Sequence, residues 1–267
     1  MATARALPIL MYHHVSPQPG LVTVSPEHFR DQMRWLARHG WHTVTTAELE
    51  GFLAGRPLPP KSVMITFDDG YLDNFIHAFP LLREYGHRAV VFAITGLIGE
   101  GPPRAGKTCP DHKTCKRLIA GGRADEVMLR WSEIEAMEKT GLVEIHSHTH
   151  SHRRWDLEYP EVNERLARLA EDLARSRATL EARLGRSSRH LCWPWGHTEA
   201  GYEETAVACG YAFHYGVRRG TVTAATHATA LPRLAARDTD ARWLARQCTV
   251  YASPGLARLY EFLRPRT

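Results

Sequence analysis

Short apolar runs recur along the chain at the spacing of alternating strands and helices. "LPILMY" (7–12), "SVMITF" (62–67), "RAVVFAI" (88–94), "LVEIH" (142–146), "RHLCW" (189–193), "YAFHYGV" (211–217) and "ATALPRL" (228–234) read as strands. Between them the hydrophobic period lengthens. Pro26 opens "EHFRDQMRWLARHG", in which Phe29, Met33 and Leu36 share a face and Gly40 stops the helix. Residues 71–85 carry Phe75, Phe79 and Leu82 at the same spacing. After Pro160, Val162, Leu166, Leu169, Leu173, Leu180 and Leu184 form one stripe ending at Gly185, which reads as core rather than function. Apolar strands alternating with helices imply a parallel sheet covered by helices on its outer face. About seven such units close most economically as an α/β fold with one irregular (β/α)7-type barrel, so 1–267 reads as one domain.

One segment resists the pattern. Residues 98–126, "IGEGPPRAGKTCPDHKTCKRLIAGGRADE", are rich in Gly, Pro and charge, which predicts a long loop inserted in the barrel, shaping access to a site. Its Cys109, His112 and Cys115 are too few for a closed structural zinc site.

Composition narrows the class. With 43% hydrophobic and 24% charged residues the chain is an ordinary globular protein. Its net charge is +5, but the arginines are spread along it and alternate with acids, as in "EVNERLARLAEDLARSRATLEARLG", which is not a nucleic-acid footprint. No apolar run reaches the length of a transmembrane span. "MATARALPILMYHH" runs into histidines instead of a signal-peptidase site, and five irregularly spaced cysteines make no disulfide framework. Both features lead us to expect a cytoplasmic protein with reduced thiols.

Chemistry gathers at strand ends. "MITFDDGY" puts Asp68 and Asp69 after an apolar strand, with Gly70 allowing a sharp turn. "EIHSHTHSH" follows another strand, with histidines at 146, 148, 150 and 152. In a parallel barrel such ends converge on one face, where one carboxylate and two imidazoles would suit zinc or another divalent ion. His146 still belongs to its strand. On a turn of helix, His146 with His150 or His148 with His152 would face the same way, whereas in an extended chain all four would share a face.

"TFDDG", "SHTHSH" and "WPWG", in that order, resemble the first three motifs of the NodB-type polysaccharide deacetylases, carbohydrate esterase family 4. The resemblance implies Asp68 as general base and Asp69, His148 and His152 as ligands of one divalent metal, zinc first, with cobalt or nickel as alternatives. The family's third motif usually reads Arg-x-Pro-Tyr-Gly, whereas here Cys192 stands in the arginine position and Trp195 in that of the tyrosine. Another arginine must then orient Asp68, and Arg233 and Arg237 of "LPRLAARD" are both candidates. No Leu-x-x-His occurs near the C-terminus to supply the usual acid. Instead "ILMYHHVSP" resembles the opening of the circularly permuted poly-N-acetylglucosamine N-deacetylase branch, which implies His13 as general acid.

On this reading Tyr71 offers a backbone N–H to an oxyanion, while Trp193, Pro194, Trp195 and Arg233 complete the substrate site. The expected substrate is an N-acetylated glycan or amino-sugar precursor, and a lipid-linked one would bring the protein into peripheral contact with a membrane. Two readings compete: a glycan-binding barrel that has lost turnover, and a non-haem iron oxygenase built on the same two-histidine, one-carboxylate set.

Overall fold

The computed structural model of the chain describes residues 3–104, 106 and 109–263. Its strands are β1 (Ile9–Tyr12), β2 (His14–Val15), β3 (Thr23–Val24), β4 (His42–Thr43), β5 (Ser62–Phe67), β6 (Ala89–Ala93), β7 (Val143–Ser147), β8 (His190–Cys192), β9 (Phe213–Tyr215) and β10 (Leu234–Ala235). The helices are α1 (Pro26–Arg38), α2 (Thr46–Leu53), α3 (Phe79–Tyr85), α4 (His112–Ala120), α5 (Trp131–Glu138), α6 (Trp155–Glu158), α7 (Val162–Leu184), α8 (Tyr202–Ala208), α9 (Ala241–Tyr251) and α10 (Pro254–Leu263).

The main strands pair in parallel in the order β10-β1-β5-β6-β7-β8-β9, with β4 on the side of β5. A parallel bridge from Tyr215 to Leu231, just before β10, brings the two ends of this curled sheet together. The expected irregular parallel barrel with helices outside is therefore the fold. Six of the seven apolar runs contain the strands expected of them because both their faces are covered, as the fully buried β5 and β6 illustrate, whereas 228–234 is mostly turn and irregular chain and reaches β10 only at Leu234.

Helix ends follow local chemistry. Ser25 accepts from the N–H of His28 at the start of α1, Pro26 occupies its first turn, and Gly40 lies just past its end at φ 67°. The 71–85 pattern is not one helix: a π-type turn at Asn74–Ala78 precedes α3, where Pro80 contributes no N–H. The α7 stripe is buried at Leu169, Leu173 and Leu180, but Val162 is exposed at the first turn, before the helix reaches its neighbours. Segment 98–126 is not loop throughout, since it contains α4, capped by Asp111. Cys109 and Cys115 are buried, and Cys115 packs with Tyr71, Ile94 and Met128, so these thiols behave as small apolar groups.

β7 buries His146, whose Nδ1 is 2.9 Å from Ser188 Oγ, between the rings of Phe92 and His190. Burial pushes its pKa down to about 4 against the pull of Glu144. In the unfolded chain the ring returns to about 6.5 and binds the extra proton between those values. Stability is thus lost as pH falls through that window, by roughly 3 kcal/mol from this ring. Burial also lowers His87, His190 and His214, which add to the loss. Denaturant titrations should show unfolding free energy dropping steeply with acid, and His146→Phe should make that slope shallower by close to one proton.

Candidate active site and metal centre

Strand register places the chemistry. Tyr12 is level with Phe67 in the β1–β5 pair, Ala93 with Ser147 in β6–β7, and Ser147 with Leu191 in β7–β8. The next residues along these strands, His13, Asp68, Ile94, His148 and Cys192, therefore form an arc at the carboxyl end of the barrel. A cavity of about 450 Å³ opens there, lined among others by His13, Asp68, Asp69, Tyr71, His148 and His152.

Asp69 and Gly70 both take left-handed backbone, φ 72° and 83°, so the chain turns back immediately after β5. Asp tolerates that region better than most residues, and glycine enters it freely. The turn aims the two neighbouring carboxylates differently. Asp69 Oδ1 is 3.3 Å from His148 Nε2 and 3.5 Å from His152 Nε2. The chain between these histidines is neither helix nor strand, because Thr149 and His152 are also left-handed, at φ 65° and 54°. His148 Nδ1–H donates to the Cys192 carbonyl at 2.7 Å, which turns Nε2 towards Asp69.

These three residues fit a divalent ion. Two ligands about 2.1 Å from a tetrahedral ion lie about 3.4 Å apart, close to the spacings found. The pocket also draws positive charge: burial opposes a proton on His148, yet Cys192 and Asp69 beside it hold its pKa well above that of free imidazole. Burial and then His148 push His152 down to about 4, which keeps its lone pair free. A second cluster, Asp156, His197 and Glu199, is already balanced by Arg154 on Asp156 (2.5 Å) and Arg165 on Glu199 (3.1 Å).

Asp68 answers to a different partner. Arg233, just before β10, is 1% exposed and reaches through the barrel interior to it. Each of its five N–H groups has an acceptor: Nε on Gly216 O (2.8 Å), Nη1 on Asp68 Oδ1 (2.7 Å) and Thr66 Oγ1 (3.2 Å), Nη2 on Asp68 Oδ2 (2.7 Å) and Cys192 Sγ (3.0 Å). Burial alone would raise the Asp68 pKa, but this guanidinium holds it below the usual carboxylate range. Arg233 takes this place and Arg237 does not, and the small Cys192 side chain accepts a hydrogen bond where the family's arginine would stand. His13 Nε2 is 3.9 Å from Asp68 Oδ2 on the cleft side, and burial lowers its pKa while Asp68 pulls it back up.

The other expected residues divide. Trp195 is half-exposed over His152, with ring centroids 4.2 Å apart, and lines the cleft. It too is left-handed, and the following Gly196 is required because a Cβ there would fall 2.8 Å from Val217 N. Trp193 also lines the cleft but is mostly buried against Tyr202 and His214. Two expected substrate contacts do not face the cleft: Pro194 is buried beside it, and Arg233 lies behind Asp68. Hydrogen bonds from Leu72 N to Val127 O and from Leu129 N to Gly70 O flank Tyr71, leaving its own N–H turned off that bridge. His146 is packed away, and His150 instead bonds Thr95 Oγ1 through Nδ1 at 3.0 Å.

The polysaccharide deacetylase family profile matches residues 55–214, more than half of the chain. The chain belongs to that family. It is 44% identical to YxkH of Bacillus subtilis (strain 168) over 94 residues, 35% of this chain and 33% of that protein. It is 28% identical over 144 residues to the poly-beta-1,6-N-acetyl-D-glucosamine N-deacetylase of Escherichia coli (strain K12), 52% of this chain and 20% of that enzyme. The chain thus spans a third or less of these two relatives. Over 223 residues, 81% of this chain and 68% of the relative, it is 25% identical to the enzyme of the same name in Staphylococcus aureus (strain MSSA476). Among solved structures, IcaB from Ammonifex degensii superposes with a TM-score of 0.73 at 26% identity, covering 92% of this chain and 98% of that one. Among the described residues no helix is long and apolar enough to cross a membrane.

Proposed function

We propose that this polysaccharide deacetylase removes N-acetyl groups from a glycan of N-acetylglucosamine type, with Asp68 as base, His13 as acid and a divalent ion, zinc in our reading, held by Asp69, His148 and His152. The observation that carries the reading is the division of labour between adjacent carboxylates: Asp69 faces two imidazoles, while Asp68 is locked by Arg233 in its ionised form. Held there, the ion would supply a Lewis acid for the amide carbonyl and acidify a nearby water. Asp68 takes the proton of the water that attacks the carbonyl carbon. The Tyr71 N–H donates to the oxygen on which charge builds. His13 delivers a proton to the amine nitrogen as the C–N bond breaks, so acetate and a free amino sugar leave. Trp195 gives a sugar ring an apolar face beside this centre.

The pseudoenzyme alternative drew its support from the arginine missing at position 192, and Arg233 brings a guanidinium to Asp68 from the segment just before β10. The oxygenase reading calls for a β-sandwich-like strand pattern, which the parallel barrel does not match. Mass spectrometry of N-acetylated oligosaccharides, lipid-linked sugars and small amides, treated with zinc-, cobalt- or nickel-loaded protein, should show loss of single acetyl groups from the oligosaccharides. Binding without acetate release across the panel would favour the non-catalytic reading.

A further inference from the structure

Next to the cleft lies a second cavity of about 590 Å³, between residues 20–21 and α4. Leu21, His112, Lys116 and Ala120 line both cavities, so the two adjoin one another. His112 at their junction is anchored from behind. Its Nδ1 is 3.1 Å from His14 Nε2, and His14 Nδ1 is 2.6 Å from Asp73 Oδ2. His14 and Asp73 are fully buried, and the His14 ring stacks on Tyr71 with centroids 3.8 Å apart. His14 Nδ1 is thus engaged by Asp73 and His112 Nδ1 by His14 Nε2, which leaves His112 Nε2 to meet a sugar hydroxyl.

The charge of the groove is one-sided. Lys113, Lys116 and Arg117 line it, and none of them has a carboxylate partner among the described residues. The groove's own carboxylate, Asp111, is engaged in capping α4, accepting from Thr114 N (3.1 Å) and Thr114 Oγ1 (2.8 Å). Gly20 forms the opposite wall, where a Cβ would lie 3.6 Å from His112.

We propose that this groove is a second glycan subsite, taking the sugar next to the one that is deacetylated, and that its cations select a sugar bearing an anionic substituent, a carboxylate or a phosphate. The inference rests on reading the cleft as a glycan deacetylase site, and its test separates the two. Zinc-loaded protein is given equal-length N-acetylglucosamine-containing oligomers that are neutral, uronate-bearing or phosphodiester-bearing. Acetate release from the neutral oligomer tests the deacetylase reading alone.

The groove is tested by relative affinity. Calorimetry on Asp68→Asn, which needs no turnover, should give a Kd about tenfold lower for at least one anionic oligomer, the carboxylate and phosphate arms showing which. That preference should shrink at high ionic strength and vanish in Asp68→Asn carrying Lys113→Gln, Lys116→Gln and Arg117→Gln. In the active enzyme, His112→Gln should raise KM for oligomers several-fold while kcat holds. Equal affinity for neutral and anionic oligomers, or a preference that survives the triple replacement, overturns the subsite. Unchanged KM in His112→Gln removes His112 from it.

Discussion

Asp68→Asn should retain its metal and lose acetate release by about 10²–10⁴-fold, the usual contribution of a positioned general base. Asparagine matches aspartate in shape but cannot take the proton of the attacking water. Metal content should be unaffected because Asp69, His148 and His152 do not use the Asp68 side chain. The substitution has a second consequence. Arg233 keeps its bonds to Gly216, Thr66 and Cys192, but its charge loses its counter-ion in a site that is 1% exposed. Breaking a buried pair from one side costs about 3–5 kcal/mol. The variant should therefore melt earlier as well as turn over more slowly. Assays well below the new midpoint separate the two effects, and elemental analysis of the purified protein checks the metal. Metal loss from Asp68→Asn, or retention of near-normal turnover, would show that the two carboxylates have been assigned the wrong way round.

How much of this could be read from sequence depended on the range of the interaction involved. β5 and β6 were legible because strands buried on both faces are apolar throughout. The C-terminal helix α10 was not, because its covered face is made by Ala257 and Tyr260 while the larger apolar Leu259, Phe262 and Leu263 remain exposed. The missed α2 did carry a local signal, the capping box between Thr45 and Glu48. At the site, the aspartates could be placed because they follow a strand directly. Residue spacing alone could not choose the histidine pair, since neither a helical nor an extended template contains the left-handed steps at Thr149 and His152. The choice between Arg233 and Arg237 was out of reach for another reason. Arg233 meets Asp68 across 165 residues, a contact made when β10 completes the ring beside β1. The roles of Cys192 and His112 were hidden in the same way, since each depends on a partner brought by another part of the chain.

Replacing His148 or His152 with alanine should weaken metal binding by more than the roughly 100-fold seen when only an outer partner of a ligand is removed. Replacing His150 should weaken it by less than about tenfold. The contrast follows from where the rings point. His148 and His152 each bring Nε2 within 3.5 Å of Asp69 Oδ1, whereas His150 turns its ring to Thr95 and its backbone N–H to Asp172. His150 shares the alternating spacing of the run, so sequence position alone would treat it as their equal. Competition of each variant against a chelating dye, at fixed pH, gives the affinities. His148→Ala should be the more damaging of the two ligand losses, because its ring is almost wholly buried and is held by the Cys192 carbonyl in the orientation that binding uses. His152 is more exposed and lies under Trp195, so a water can partly take its place. Equal affinity in the His150 and His148 variants would mean that the 148–152 turn rearranges around the ion, and the ligand set would then have to be redrawn.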